Sequence, residues 1–133
     1  MERFIHVIEI PVTDIKRAIR FYSAIFDGLE FKEEEEGSVK YALFLTDDMC
    51  DNGILLVQRE QYEPSVDGPL IYLDGGDDVN EVLSKVLEAG GSVVMEKTLS
   101  KQFSGYIGMF IDSEGNRMAL HSFVPDELEN FSG

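Results

Sequence analysis

The sequence predicts an α+β fold in which two tandem βαβββ modules build one cup-shaped mixed sheet. Three observations carry this expectation. Two stretches place apolar residues at helical spacing, and each starts just after an Asp and stops at a Gly. One strand-like run precedes each stretch and three follow it, so the same order occurs twice along the chain. A link over 62–69, with two prolines and a glycine, separates the copies.

In the first copy, Val7-Ile8-Glu9-Ile10-Pro11-Val12 alternates as a strand. Ile8, Ile10 and Val12 share one face, and Val7, Glu9 and Pro11 share the other. Thr13-Asp14 supplies a helix cap. Ile15, Ala18, Ile19, Tyr22, Ile25 and Phe26 then form one apolar stripe, and Asp27-Gly28 ends it. Leu29-Glu30-Phe31 reads as the next strand. Glu33 to Glu36 with Gly37 read as a solvated turn. Tyr41–Leu45 and Gly53–Val57 are further strands on either side of an acidic loop.

The second copy repeats this plan. Leu70-Ile71-Tyr72-Leu73 is its first strand, and Asp77-Asp78 its cap. Val79, Val82, Leu83, Val86 and Leu87 form its stripe, and Gly90-Gly91 its stop. Ser92–Met95, Tyr106–Ile111 and Arg117–Phe123 are strands, with a turn at Ser113-Glu114-Gly115-Asn116 before the last. Laying Asp14 on Asp78 aligns Ile15 with Val79 and Ile19 with Leu83. The predicted domain spans 3–123, with module one at 3–61 and module two at 70–123. Residues 124–133 form an acidic tail.

Composition limits the function classes. The 133 residues are 44% hydrophobic, with nine Phe and five Tyr. Such a chain can bury a core without staples and is not a disordered polymer. The single cysteine, Cys50, has no internal disulfide partner and lies among Asp47, Asp48 and Asp51, whose charge disfavours a thiolate. Met1–His6 does not read as a signal peptide, and no apolar run approaches the ~20 residues of a membrane span. A reducing, cytoplasmic setting is expected. A net charge of −15 repels nucleic acid and anionic membrane, so neither is expected as a partner. The first reading of that charge is that the acids keep the chain in solution, and the sharper alternative is a preference for a cationic guest.

In each module, one helix covers only one sheet face. The other face needs a partner, and two curved sheets facing each other leave a cleft of the kind that takes small ligands.

Glu9-Ile10-Pro11-Val12-Thr13-Asp14, Arg17-Ala18, Phe21-Tyr22 and Asp112-Ser113-Glu114-Gly115-Asn116-Arg117, in that order and within a duplication, resemble the vicinal oxygen chelate superfamily. That group holds glyoxalase I, extradiol dioxygenases, fosfomycin-resistance proteins and bleomycin-binding proteins. The resemblance covers roughly residues 3–123. It implies paired βαβββ modules forming a cup, commonly in a homodimer. It also implies a divalent metal held by His and Glu, two from each module, that stabilises an enolate or oxyanion. The implied ligand positions here are Val7, one of Leu55, Leu56 and Val57, Leu70 or Ile71, and Ala119. Leu56 and Leu70 are the preferred choices where the register is open. All are apolar, so neither a metal nor another cofactor is expected.

By alternation, Glu9, Arg117 and His121 share the cup with Val7 and Ala119. Glu9 and His121 are the candidate catalytic pair. The alternative for Glu9 is a partner for a neighbouring cation, for Arg117 an exposed residue beside the turn, and for His121 a hydrogen-bonded strand-end histidine. Tyr72, Phe103 and Tyr106 are candidates for the cup wall, and Gln58 for an amide at the rim. Lys97 and Lys101 flank a loop that could sit over the opening. The expected function is small-molecule binding in a metal-free cup. The alternatives are a metal-independent lyase or isomerase using Glu9 and His121, a metal-dependent lyase or dioxygenase, and a structural dimer with no guest.

Overall fold

A computed structural model describes residues 4–46 and 51–123. Cys50, its acidic neighbours Asp47 and Asp48, and the tail 124–133 lie outside the described residues. Ten elements follow in order: β1 (Ile8–Pro11), α1 (Ile15–Ile25), β2 (Glu30–Glu36), β3 (Val39–Leu45), β4 (Asp51–Gln58), β5 (Tyr72–Asp74), α2 (Val79–Ala89), β6 (Ser92–Ser100), β7 (Gly105–Ile111) and β8 (Arg117–Phe123). They form two four-stranded sheets of matching topology, ordered β1-β4-β3-β2 and β5-β8-β7-β6. In each, the first strand runs parallel to the last, and the other pairs are antiparallel. The duplicated βαβββ plan is therefore the architecture of the chain.

The helices start where their Asp caps stand. The Asp14 side chain accepts from Arg17 N at 3.1 Å, and Asp78 from Asn80 N at 2.9 Å. These bonds satisfy amides that have no partner inside the helix. Gln58 adds a second cap to α1, its Oε1 accepting from Ile15 N at 2.8 Å. The ends differ. Gly90 closes α2 in the left-handed region at φ 113°, whereas α1 ends at Phe26 in extended backbone. The stripe of α1 is buried at Ile15, Ala18, Phe21, Tyr22 and Ile25, and that of α2 at Val79, Val82, Leu83 and Val86. Leu87, expected on the α2 stripe, is exposed.

Both helices and the helix-facing sides of both sheets share one hydrophobic core. Phe110 of β7 joins the halves, its ring 5.9 Å from Phe21 and 6.5 Å from Tyr22 of α1. The modules are therefore welded through apolar burial, the dominant favourable term in folding, and are not two beads on a string.

Two strands run further than expected. Glu33–Glu36 belong to β2, paired with Val39–Ala42 of β3, and the turn falls at Gly37-Ser38. As β2 is the outer edge of its sheet, a row of carboxylates is tolerated there and guards the edge against foreign strands. β6 continues past Met95 to Ser100, so Lys97 lies in a strand and not beside a loop.

Candidate functional site

Each sheet covers one face with helices and leaves the other without them. Ladder register decides which side chains stand on that open face. Glu9 pairs with Leu55 in β1–β4, and Tyr72 pairs with Ala119 in β5–β8. These two pairs are equivalent in the repeat, so Val7 corresponds to Leu70. The extra residue of module two falls after β5. The four ligand positions implied by the resemblance are thus Val7, Leu55, Leu70 and Ala119. This corrects the placement of Leu56, which is fully buried on the helix side. None of the four carries a lone pair suited to a metal. Among the described residues, no group of three or more His, Cys, Asp or Glu could hold one. The donor set does not fit the divalent ion of the metal-bearing enzymes.

On the open face of the first sheet, Glu9 accepts from Arg59 Nη2 at 3.1 Å. The Arg59 guanidinium lies 3.8 Å from the centre of the Tyr62 ring. Burial raises the Tyr62 hydroxyl above its ordinary pKa, and its hydrogen bond to Glu9 adds to that shift. Glu9 is therefore held in an ion pair with a phenol beside it. Arg59 and Tyr62 were not foreseen. Continuing the alternation Leu55, Val57, Arg59 would have found Arg59.

On the open face of the second sheet, rings gather around His121. The Tyr72 and Phe103 centroids are 4.8 Å apart, Phe103 and His121 are 6.3 Å apart, and His121 and Phe123 are 4.6 Å apart. His121 Nε2 lies 2.7 Å from the Phe103 carbonyl oxygen. A carbonyl can only accept, so Nε2 carries the hydrogen and Nδ1 is the acceptor nitrogen of the ring. Asp74 stands beside His121 in the ladder, with Oδ1 accepting from Gly76 N at 2.8 Å. Phe123 is 76% exposed and Tyr72 36%, so the ring cluster opens to solvent. The structure brings Tyr72, Phe103 and His121 together as neighbours, while Glu9 belongs to the other sheet. Arg117 is exposed at the turn end of β8, beside Ile111.

Three expected placements are corrected. Gln58 points to the helix side, where it caps α1. Tyr106 also packs on the core side, under the Lys97 ammonium at 4.6 Å. Lys97 itself bonds the Asp78 cap at 3.0 Å and so does not overhang the open face.

The Asp112–Arg117 segment is a tie between modules. Asp112 Oδ1 accepts from the amides of Glu114, Gly115 and Asn116, while Oδ2 accepts from the Tyr22 hydroxyl at 2.6 Å. Burial, then the Asp112 charge, pushes the Tyr22 hydroxyl well above its usual range. Asn116 Nδ2 donates to the Pro11 carbonyl at 2.7 Å, and its Oδ1 accepts from Ser65 N at 3.1 Å. Glu114 accepts from Thr13 N, Asp14 N and the Arg17 guanidinium. These acids and the amide are spent on folding.

An open cavity of about 570 Å³ also lies on the helix side, at the seam between the modules. No helix among the described residues is long and apolar enough to cross a membrane.

Paired βαβββ modules with a shared helical core and two open sheet faces define a duplicated α+β architecture. The sequence pattern of the glyoxalase/bleomycin resistance protein/dioxygenase superfamily matches residues 4–120, and the chain belongs to that family. Among solved structures, a hypothetical protein from S. aureus is similar at 23% identity, covering 92% of this chain and 98% of that one, with a TM-score of 0.66. A glyoxylase/bleomycin resistance protein/dioxygenase domain from Frankia sp. EAN1pec is similar at 12% identity, 93% and 100% coverage and a TM-score of 0.70. Glyoxalase I from Zea mays is similar at 15% identity with a TM-score of 0.64, over 88% of this chain but 45% of its own. At such identities the likeness is one of fold. Among curated proteins, none matches the chain by sequence.

Proposed function

We propose that the chain binds a small organic molecule on the open face of its second module, without a metal. The observation that carries this reading is the solvent-open cluster of Tyr72, Phe103, His121 and Phe123. Aromatic faces supply apolar area and attract cations. His121 Nδ1 and the Asp74 carboxylate supply polar contacts that orient a guest. A net charge of −15 and Asp74 beside the rings favour a guest with a positive group on a planar or aliphatic body. The catalytic alternative, with Glu9 and His121 as an acid–base pair, finds less support because Arg59 occupies Glu9.

A homodimer in the cytoplasm belongs to the same proposal. Exposed Val7 at 55% is an apolar group that a partner copy would cover. The acidic chain with one cysteine suits a reducing compartment.

Thermal melts against a panel of aromatic and aliphatic amines test the binding reading. A ligand that selects the folded chain raises the melting temperature with concentration, by the equivalent of about 2.7 kcal/mol at a hundredfold excess over Kd. Tyr72→Ala with Phe103→Ala should abolish that rise while leaving the unliganded protein folded. If the double variant responds as the wild type does, the ring cluster is not the site.

A further inference from the structure

We infer a second small-molecule site in the seam cavity on the helix side, built for an organic cation with an apolar body. Its volume of about 570 Å³ lies within the roughly 300–1,000 Å³ that ligand pockets occupy. The floor is apolar and continues the core: Ile25 from α1, Phe44 and Ile54 from the first sheet, Leu73 from β5 and Val82 from α2. Both modules contribute, and the two faces that meet there are those turned away from the ring cluster.

The rim carries the opposite chemistry. Asp27 and Glu81 stand against one cation, Lys85. Lys85 is already engaged across the seam by Asp27, at 3.4 Å. The net negative rim disfavours anions. The apolar floor would strip the hydration shell from a bare metal ion without replacing it, and no metal-ligand group exists among the described residues. A neutral hydrocarbon would leave the carboxylates unused. An ammonium on a hydrophobic body satisfies both parts, because the body covers the floor while the charge stays at the rim. Phe26 lines the cavity beside this floor.

The site stands apart from the proposed open-face site and shares only Asp74 with it. The two are separable by experiment. Benzyltrimethylammonium, titrated into the isotope-labelled full chain, should shift the amides of residues 25–29, 54, 73–76 and 81–85 saturably, as read by two-dimensional NMR. Ile54→Phe fills part of the floor and should remove those shifts. Glu81→Lys, a change on an exposed helix position, should weaken the seam affinity about threefold, the scale of one exposed charge pair. Tyr72→Ala should leave the seam titration as it was. Shifts confined to the ring cluster of β5 and β8 would overturn the seam site while sparing the open-face reading. The absence of saturable shifts at the seam, or wild-type affinity in both Ile54→Phe and Glu81→Lys, would overturn it as well.

Discussion

Glu114→Gln isolates the contribution of the polar tie between modules. The Glu114 side chain has no exposed area, while that of Arg17 is 46% exposed. Its carboxylate accepts from Arg17 Nε at 2.7 Å and Nη2 at 2.9 Å, and from the amides of Thr13 and Asp14 at 3.0 Å each. Burial alone would raise its pKa. The hydrogen bonds from Arg17, Ser113, Thr13 and Asp14 overcome that and hold it at about 2. Taken whole, such a displacement corresponds to roughly 3 kcal/mol. Solvent around the half-exposed Arg17 screens the pair, which reduces the expected contribution to about 1–2 kcal/mol. The sign follows from the depressed folded pKa. The stabilisation is fully present above the ordinary carboxylate pKa and is lost as pH falls from there through about 2. Thermal melts of both proteins at about pH 7, 5 and 3 read this out. The variant should lie about 4–8 °C below the wild type in melting temperature near neutrality, and more than half of that stability gap should close by about pH 3. A gap that is absent near neutrality, or one that persists unchanged in acid, would refute the assignment of the depressed pKa to this tie.

Other perturbations probe separate layers of the structure. Phe110→Ala removes the ring that joins α1 to the second sheet and should cost about 3–5 kcal/mol in denaturant melts; a cost below about 1 kcal/mol would mean the modules do not share a core. Tyr22→Phe deletes the 2.6 Å hydrogen bond to Asp112, and a loss of about 1–3 kcal/mol is expected because the buried carboxylate loses a donor. Incubation with zinc or nickel should leave the melting temperature unchanged, since Val7, Leu55, Leu70 and Ala119 offer no ligand; metal retained stoichiometrically through purification would contradict this.

The helices were legible in the sequence because two independent signals agreed, a 3.6-residue stripe and an Asp cap. Strand faces were legible wherever strict alternation held, as at Ile10 and Val12, both buried in the core. The sequence misleads where a run of charge reads as a turn. Glu33–Glu36 form a strand because an edge position needs no apolar partner on its outer side, and Lys16 reaches Glu33 at 2.8 Å. It also misleads at the choice between Leu55 and Leu56, where one residue decides the face. Sequence alone gives Gln58 and Tyr106 no register, and both belong to the helix-facing side. Phe103 was singled out only as an aromatic, since its contact with His121 spans 18 positions and no local pattern encodes it.

The repeat also explains an unusual buried group. By ladder equivalence, Gln58 in β4 corresponds to Ser122 in β8. Gln58 reaches across to cap the first turn of α1. Ser122 is 2% exposed, and its hydroxyl finds no hydrogen-bond partner among the described residues. The shorter side chain cannot span to α2, and the chain has closed in over it instead. A Cβ on Gly75 would stand only 3.0 Å from the Ser122 hydroxyl and 2.8 Å from Val79. An unmet buried hydroxyl carries a desolvation cost of about 1–3 kcal/mol. Ser122→Ala removes that cost without adding volume or taking away a bond. The variant should therefore be as stable as the wild type or more so, by up to about 1 kcal/mol in urea melts. Destabilisation beyond about 1 kcal/mol would show that the hydroxyl is satisfied in solution, and that α2 has a second cap equivalent to the one Gln58 gives α1.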